Sequence, residues 1–430
     1  MTAFRYLILL AALAMTRGLE AAETNGATLS LPQAEAEALR NHPRINAADL
    51  RALAATENVT EARSAFLPSL AAQFTAASPA ADNARIAAGG LNNPVIFQRA
   101  AMGITASQLI TDFGRTANLL ASVKLRSKAE AENAALTKAQ IKLLTDSAYY
   151  TALGSEAVLT VASNTLASRQ LFLDQVGVLA TNQLRSELDV NFARVAYEES
   201  RLLFSKAEND IRAAQTRLST VLGYRDDRRF VLTDVPAPAT NPGEASQLAM
   251  DSLGRRPDLL RLRDERDAAL KFARAEQALF YPTITAFGTV GEIPVHDEHL
   301  PDNYAAAGVN LSLPLFNGFN NISRKREAAL RARAAEETLR DAENEAIRDV
   351  RVAWLNVNNA TERLKINERL QATARQAYDL ADARYRAGSS SIVELSQAQL
   401  NLTSAQIGFA TARYELLIEQ AVLDFQAGRK

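Results

Sequence analysis

Two short segments of the chain carry acidic residues at a spacing that suits helix capping. Ser391 stands three residues before Glu394, and Ser186 stands three residues before Asp189. A serine at the start of a helix can accept a hydrogen bond from the backbone N–H three residues on, while the acidic side chain bonds back to the serine N–H. Each segment therefore predicts the first turn of a helix.

The residues just before these serines predict that another helix ends there. Gly388 permits the left-handed backbone conformation that ends many helices. The first segment has Gln183 at the matching place. Both segments are therefore expected to be turns that join two helices.

Other residues that could do chemistry are few. His296-Asp-Glu-His299 could ligate a metal, but Pro294 and Pro301 predict a loop there, and a solvated loop is the favoured interpretation. The chain has no cysteine, which excludes disulfides, thiolate metal sites and cysteine catalysis. No nucleophile with its base, phosphate-binding glycine loop or cofactor motif is present. The sequence therefore predicts no enzyme, no cofactor and no metal site.

The sequence elements that must position the two turns occur as two repeats in the chain. Pro43 and Pro68 stand 25 residues apart, as do Pro257 and Pro282. Further markers repeat at intervals of 77 and 34 residues: Asp112, Asp189 and Gly223, then Asn317, Glu394 and Gly428. This pattern predicts a first repeat over residues 23–224, a linker over 225–243 and a second repeat over 244–430.

Composition favours long helices in an exported protein. Apolar residues make up 47% of the chain and aromatic residues only 6%, and the net charge of −1 offers no attraction for nucleic acid. Residues 1–22 predict a secretory signal peptide, with Arg5 before an apolar run and small residues after it. An N-terminal helix in the core is the alternative. No later run approaches the ~18 apolar residues of a spanning helix, so any membrane-spanning part must be strands.

Each repeat predicts a helix, two strands and a long helical hairpin. The opening helices lie at 31–65 and 244–280, each interrupted by a proline. The strand-like runs lie at 68–76, 100–111, 282–290 and 305–316. The outgoing legs, 115–180 and 321–387, contain no proline, and at 1.5 Å per residue each would be about 100 Å long.

The return leg of each predicted hairpin has a seven-residue repeat. The large residues of the first are Val190, Tyr197, Phe204, Ile211 and Leu218, and those of the second are Leu395, Leu402, Phe409, Leu416 and Leu423. Small residues repeat likewise at Ala193, Ser200, Ala207 and Ala214, and at Ala398, Ala405 and Ala412. This periodicity is typical of coiled coils, and small heptad residues let helix axes approach closely.

Four strands per chain predict an oligomer. They are too few to enclose an aqueous lumen, and open sheet edges do not occur in lipid. Several chains must therefore contribute to one barrel, and three chains would give 12 strands and 12 long helices.

Several short motifs, in this order and spacing, carry a resemblance to a known family. They are Asp112-Phe-Gly-Arg115, Arg255-Arg-Pro-Asp258, Pro314-Leu-Phe-Asn-Gly318 and the segment from Tyr385 to Leu395. Over nearly all of the mature length the chain resembles TolC-type outer-membrane efflux proteins. The resemblance implies a mainly α fold with a transmembrane β-barrel portion, assembled as a trimeric channel-tunnel.

The resemblance also implies partners and a place in the cell. It predicts an outer-membrane channel whose helical tunnel projects through the periplasm of a Gram-negative cell, contacts membrane lipid and docks on a periplasmic adaptor. An inner-membrane transporter of the RND, ABC or MFS type would lie below, in an efflux or type I secretion system. A periplasmic coiled-coil adaptor and a structural rod protein remain alternatives. An adaptor would have one long hairpin per chain flanked by lipoyl-like β domains, and a rod would not explain the signal segment or the paired strands.

The resemblance finally assigns roles to residues of the two turns. It places Glu394 in a ring of acids that narrows the tunnel, where three carboxylates would favour cations. Gln397 stands where the family has a second acid, so a double ring is not expected. Asp189 and Tyr385 match a network that closes the tunnel, and Ser390 replaces its basic member. The alternative is that the acids only cap helices.

Overall fold

The structure is a computed structural model that describes residues 28–77, 99–236, 243–295 and 301–429. The predicted signal peptide, the His296–His299 segment and residues 237–242 of the predicted linker lie outside the described residues. Within the described residues, eight α-helices span Leu31–Asn41 (α1), Pro43–Ser64 (α2), Arg115–Thr181 (α3), Glu187–Val221 (α4), Ala245–Arg255 (α5), Pro257–Gln277 (α6), Asn320–Arg386 (α7) and Ile392–Gln426 (α8). Six strands of the described part of the chain span Thr28–Leu29 (β1), Ser69–Ala77 (β2), Arg99–Thr111 (β3), Val231–Leu232 (β4), Thr283–Val295 (β5) and Asn303–Ser312 (β6).

These elements belong to two compact units. The described residues of Met1–His42, Ile141–Thr240 and Asn358–Ala421 form the first, and those of Pro43–Gln140, Asn241–Val357 and Val422–Lys430 form the second. Each unit takes segments from both sequence halves, so the repeat boundaries at 23–224 and 244–430 remain a sequence prediction. The first unit contains the two turns between long helices, and the second contains the main sheet.

The main sheet has four antiparallel strands in the order β2-β3-β5-β6. Register places Leu70, Phe74, Ile104 and Val290 on one face, because Leu70 pairs with Ala106, Phe74 with Met102 and Ile104 with Val290. The opposite face carries Thr105 opposite Thr289, whose hydroxyls lie 3.3 Å apart. One face is therefore mainly apolar, with Glu292 opposite Met102 as a charged exception, and the other is largely polar, as strand alternation dictates.

The apolar face is exposed in a single chain. Leu70 is 74% exposed and Phe74 is 71% exposed. Strands β2 and β6 each have one edge with no neighbour in this sheet. The apolar face is unfavourably exposed to water, and the free edges present unpaired N–H and C=O groups. Both surfaces are therefore expected to contact lipid or another chain.

The helical hairpins bury the small heptad residues that the sequence marks out. Ala193, Ser200, Ala207 and Ala214 of α4 are all buried. In α8, Ala405 and Ala412 are buried as well, and Ala398 is partly buried. Side chains of this size leave little bulk between helices, which agrees with close helix packing.

The ends of α4 and α8 repeat one contact. Gly223 and Gly428 both have positive φ, 86° and 68°. A Cβ at Gly223 would lie 2.8 Å from the carbonyl oxygen of Asn41 at the end of α1, and a Cβ at Gly428 would lie 2.9 Å from Cβ of Arg255 at the end of α5. Glycine is therefore required twice, by its backbone conformation and by the close neighbour.

A two-residue parallel pair joins β1 to β4 in the first unit. The sequence did not predict this pair, since two residues are too few for a recognisable pattern. Tyr149 of α3 is fully buried beside it. Its Oη lies 2.8 Å from the carbonyl oxygen of Leu29 and accepts a hydrogen bond of 3.1 Å from the N–H of Thr233.

Candidate functional site

The turn between α7 and α8 is built by backbone bonds around Gly388. Gly388 has φ 71°, and its N–H donates to the carbonyl of Tyr385 at 3.0 Å. The N–H of Ser389 donates to the carbonyl of Arg384 at 2.9 Å. These bonds satisfy the last carbonyls of α7, as a glycine-terminated helix requires.

Ser391 precedes the first turn of α8, and the carboxylate of Glu394 binds Arg384 and Ser390 of the same turn. The N–H of Glu394 donates to Ser391 Oγ at 3.3 Å. Oε1 of Glu394 accepts a hydrogen bond from Arg384 Nη1 at 2.9 Å, and Oε2 accepts one from Ser390 Oγ at 2.7 Å. The acid is thus paired with a cation of its own hairpin. Both side chains are about half exposed, and such pairs contribute roughly 0–1 kcal/mol.

The turn between α3 and α4 reaches a similar shape with different residues. Gln183 takes the left-handed conformation, with φ 59°. Ser186 and Asp189 form a full capping box, in which Asp189 N–H donates to Ser186 Oγ at 3.2 Å and Ser186 N–H donates to Asp189 Oδ2 at 3.1 Å. Ser186 Oγ also donates to Oδ2 at 2.9 Å. The carboxylate of Asp189 is therefore occupied in capping α4.

Tyr385, in the last turn of α7, is buried in a cluster supplied by all four helices. Its side chain is 4% exposed and belongs to an apolar group with Val176, Ala193, Ala381, Ile392 and Leu395. The ring of Phe172 lies 5.7 Å away, centroid to centroid. The hydroxyl of Tyr385 is buried and has no hydrogen-bond partner among the described residues. Asp189 and Tyr385, predicted to share a network, therefore have no direct hydrogen bond.

Arg185 adds a cation–π contact and a hydrogen bond to the apolar contacts that Tyr385 makes across the two hairpins. Its Cζ lies 4.2 Å from the centre of the Tyr385 ring. Its Nη2 donates to the Tyr385 carbonyl at 3.1 Å. Sequence reasoning missed Arg185, because it belongs to no capping motif and its partner is 200 residues away. A basic residue directly before a Ser-x-x-Asp cap in the opposite turn is the signal that could have suggested it.

The electrostatics of Tyr385 follow from this setting. Burial raises the pKa of the phenol, the charge of Arg185 opposes that shift, and the charge of Asp189 adds to it. The phenol therefore stays neutral well into alkaline solution, and any attraction to Arg185 acts through the ring face.

Gln397, one helical turn beyond Glu394, is neutral and exposed. Its Nε2 donates to Asn401 Oδ1 at 3.0 Å. It has no contact with the acid pair among the bonds described here. Ser390, which replaces the expected basic residue, serves instead as a donor to Glu394.

Other site classes are not represented in the described part of the chain. Residues 28–77, 99–236, 243–295 and 301–429 contain no group of three or more metal-ligating side chains. Within the same ranges no helix combines the length and the apolar character that crossing a membrane requires.

Comparison with known proteins gives consistent matches over most of the chain. The model of the outer membrane efflux protein family matches twice, over residues 35–224 and 248–429. Outer membrane protein TolC of Salmonella enteritidis is 24% identical over 416 residues, which cover 93% of this chain and 82% of that protein.

Solved structures of two outer membrane proteins share the fold. The CmeC outer membrane channel of Campylobacter jejuni aligns with a TM-score of 0.81 at 16% identity, covering 93% of this chain and 85% of that chain. The outer membrane protein VceC of Vibrio cholerae aligns with a TM-score of 0.78 at 18% identity, covering 93% of this chain and 96% of that chain.

Proposed function

Because the chain belongs to the outer membrane efflux protein family, it is an outer-membrane channel of tripartite efflux systems, and we propose that its two hairpin turns form the gate at the periplasmic end. The observation that supports a gate is the contact of Arg185 with Tyr385, which joins one turn to the end of the opposite hairpin. A passage that opens and closes needs such separable contacts between rigid elements.

The assembly we propose is a homotrimer in contact with outer-membrane lipid. The apolar sheet face around Leu70, Phe74 and Ile104 suits lipid, and the polar face around Thr105 and Thr289 suits a wet lumen. The free edges of β2 and β6 then pair with neighbouring copies, since unpaired edges are not tolerated in lipid. A periplasmic adaptor and an inner-membrane transporter would deliver the transported substrate to the periplasmic end of the channel.

The proposed gate acts through electrostatic interactions and catalyses no covalent chemistry. Three copies of Glu394 would meet in the narrow passage, each paired with Arg384 and Ser390. With Arg384 in place, the ring carries little net charge. Loss of Arg384 would leave three carboxylates whose field is screened weakly in a narrow site, and cations would be favoured.

The remaining residues of the turns shape the gate. Asp189 and Ser186 cap α4 and fix the first turn, while Gly388 and Ser391 fix the second. Tyr385 anchors the second hairpin in the shared apolar cluster. Gln397 lies outside the acid pair, so a neutral substitution there is expected to change selectivity little.

Planar bilayer recordings test this function. The purified protein should have a trimer mass in detergent and form single channels. Glu394→Gln should shift selectivity toward anions and reduce block by multivalent cations, because it leaves Arg384 unpaired. Arg384→Gln should shift selectivity in the opposite direction.

Two results would contradict the proposal. A stable monomer that never conducts would remove the channel function. Unchanged selectivity in Glu394→Gln with a lower melting temperature would make the acid a helix cap only, with the gate elsewhere.

A further inference from the structure

Arg185, in the turn between α3 and α4, contacts the second hairpin in two ways through its side chain. The guanidinium covers the ring of Tyr385 at 4.2 Å and donates to the Tyr385 carbonyl at 3.1 Å. That carbonyl is in the last turn of α7, where the partial negative charge of a helix C-terminus favours a cation. One side chain thus uses two attractions at once on a single residue of the opposite hairpin.

The Tyr385 ring is well placed to make this contact strong. It is 4% exposed, and Phe172 and the apolar cluster cover the rest of its surface. Cation–π contacts gain strength when the ring and the cation are shielded from water. The planar guanidinium also stacks on a ring in a way that an ammonium group does not.

The other polar contacts at the turns lie within one hairpin. Arg384, Ser390 and Glu394 all belong to the segment that joins α7 to α8. Ser186 and Asp189 both belong to the start of α4. These bonds shape each turn but do not resist separation of the two hairpins.

We propose that Arg185 is the latch of the gate and holds the second hairpin against the first within one chain. This inference rests on the proposed channel function and names the residue that controls its closure. The latch acts through the ring face and the backbone carbonyl of Tyr385, and the phenol hydroxyl contributes little. Opening of the gate separates Arg185 from Tyr385, whereas the Arg384–Glu394 pair stays within its hairpin and sets selectivity.

Single-channel recording of Arg185→Gln is the direct test. The variant should raise the ratio of open to closed time about tenfold, equivalent to ~1.4 kcal/mol, with ion selectivity close to that of the wild type. Arg185→Lys keeps the charge and loses the planar stacking, so we expect an intermediate value. Arg386→Gln is the matched control, since it removes the same charge next to Tyr385 from a side chain that is 76% exposed and pairs only with Asp382 among the ion pairs described.

Variants of Tyr385 separate a latch from a merely structural role. Tyr385→Phe keeps the ring and should change the open ratio far less than Tyr385→Leu. In a Tyr385→Leu background, Arg185→Gln should add almost nothing, because its partner is gone. Trimer mass and melting temperature of each variant confirm that the protein is folded.

The outcomes distinguish this inference from the channel function. A conducting wild type whose open ratio Arg185→Gln leaves unchanged would overturn the latch and keep the channel. A full Arg185→Gln effect in the Tyr385→Leu background would also overturn it. A folded wild-type trimer that conducts no ions would overturn the channel function and the latch together.

Discussion

At the scale of single residues, both turns contain one residue in the left-handed backbone conformation, but the energetic cost differs between them. Gly388 and Gln183 both have positive φ, 71° and 59°. Only glycine adopts this conformation freely, and other residues lose roughly 1–2 kcal/mol in it. The first turn therefore stores strain that the second avoids.

This difference predicts opposite effects on stability. Gly388→Ala should destabilise the protein by ~1 kcal/mol, although a Cβ there meets nothing within 4 Å. Gln183→Gly should stabilise by about 0.5 kcal/mol, because relief of strain exceeds the added entropy of the unfolded chain. Urea unfolding in detergent measures both.

Gly177→Ala is the control, since Gly177 lies inside α3 with open space around it. It should stabilise by ~0.5–1 kcal/mol through helix propensity alone. Equal effects at positions 177 and 388 would show that the left-handed turn costs nothing.

Glu132 of α3 gives a pH-dependent prediction. Burial raises the pKa of this carboxyl, the charge of Asp264 on α6 raises it further, and Lys128 opposes both. A raised folded-state pKa stabilises the fold below the unfolded pKa, and this stabilisation is lost as pH rises through the folded pKa. Glu132→Gln should therefore raise the melting temperature at pH 7.

The gain should disappear in acid, where the wild-type carboxyl is already neutral. Thermal unfolding at pH 7 and pH 4 measures it. Glu130→Gln, on the same helix, is the control and should show a smaller gain at pH 7. A gain that persists unchanged at pH 4 would have a cause other than charge.

Sequence reasoning reached those residue contacts that are local. The serine caps follow from residues three positions apart, and both serines accept the expected backbone bond. The partners of Tyr385 are set by packing between the hairpins, which no short pattern encodes, whereas the Glu394 carboxylate bonds to Arg384 and Ser390 of its own turn. The carboxylate of Asp189 bonds to its own cap, and its share in a closing network with Tyr385 stays a prediction.

At the scale of elements, one buried ion pair joins the end of α6 to the start of α7. The side chain of Glu276 is 2% exposed and accepts two bonds from Arg324, at 2.7 and 2.8 Å. The first repeat has Ala62 and Leu119 at the corresponding positions, offset by 214 and 205 residues. The two repeats therefore close this junction by different means.

Removing one partner of the pair should cost more than removing both. Arg324→Leu leaves a buried unpaired carboxylate, and because the Arg324 side chain is itself 44% exposed the cost should be about 1–3 kcal/mol, below that of a fully buried pair. The double variant Glu276→Ala with Arg324→Leu copies the first repeat and should lose clearly less. Chemical unfolding of both proteins measures the difference. A double variant as unstable as the single one would mean that the lost contacts, and not the buried charge, cause the effect.

Element boundaries were predictable where the pattern was long. The outgoing helices were predicted at 115–180 and 321–387 and lie at Arg115–Thr181 and Asn320–Arg386, because uninterrupted helical sequence without proline is a strong signal. Strand β6 was expected to reach 316 but ends at Ser312. Pro314 lacks the N–H that a ladder needs, which explains the early end.

At the scale of the whole molecule, the two faces of the main sheet predict how the protein meets the membrane. Ile104 lies on the apolar face and Thr105 on the polar face. An Arg or Lys facing lipid costs roughly 2–4 kcal/mol at mid-depth and an Asp or Glu somewhat less, whereas a charge facing a lumen is tolerated. Ile104→Asp should therefore reduce the amount of trimer in outer membranes, and Thr105→Asp should not.

Fractionation of membranes and counting of trimers on native gels measure both variants. A loss of equal size in both would mean that the sheet does not present one face to lipid. The strand pairs themselves followed from the sequence, but the junction of β3 with β5 did not, because these strands belong to different repeats.

The two outgoing helices each have 67 residues, and the two return helices each have 35. Deleting seven residues from α3 alone would move its turn by about 10 Å along the helix. Arg185 could then no longer reach Tyr385. We therefore expect a deletion in one leg to be tolerated only when the other three legs are shortened by the same length. Only then do the two hairpins keep their turns side by side.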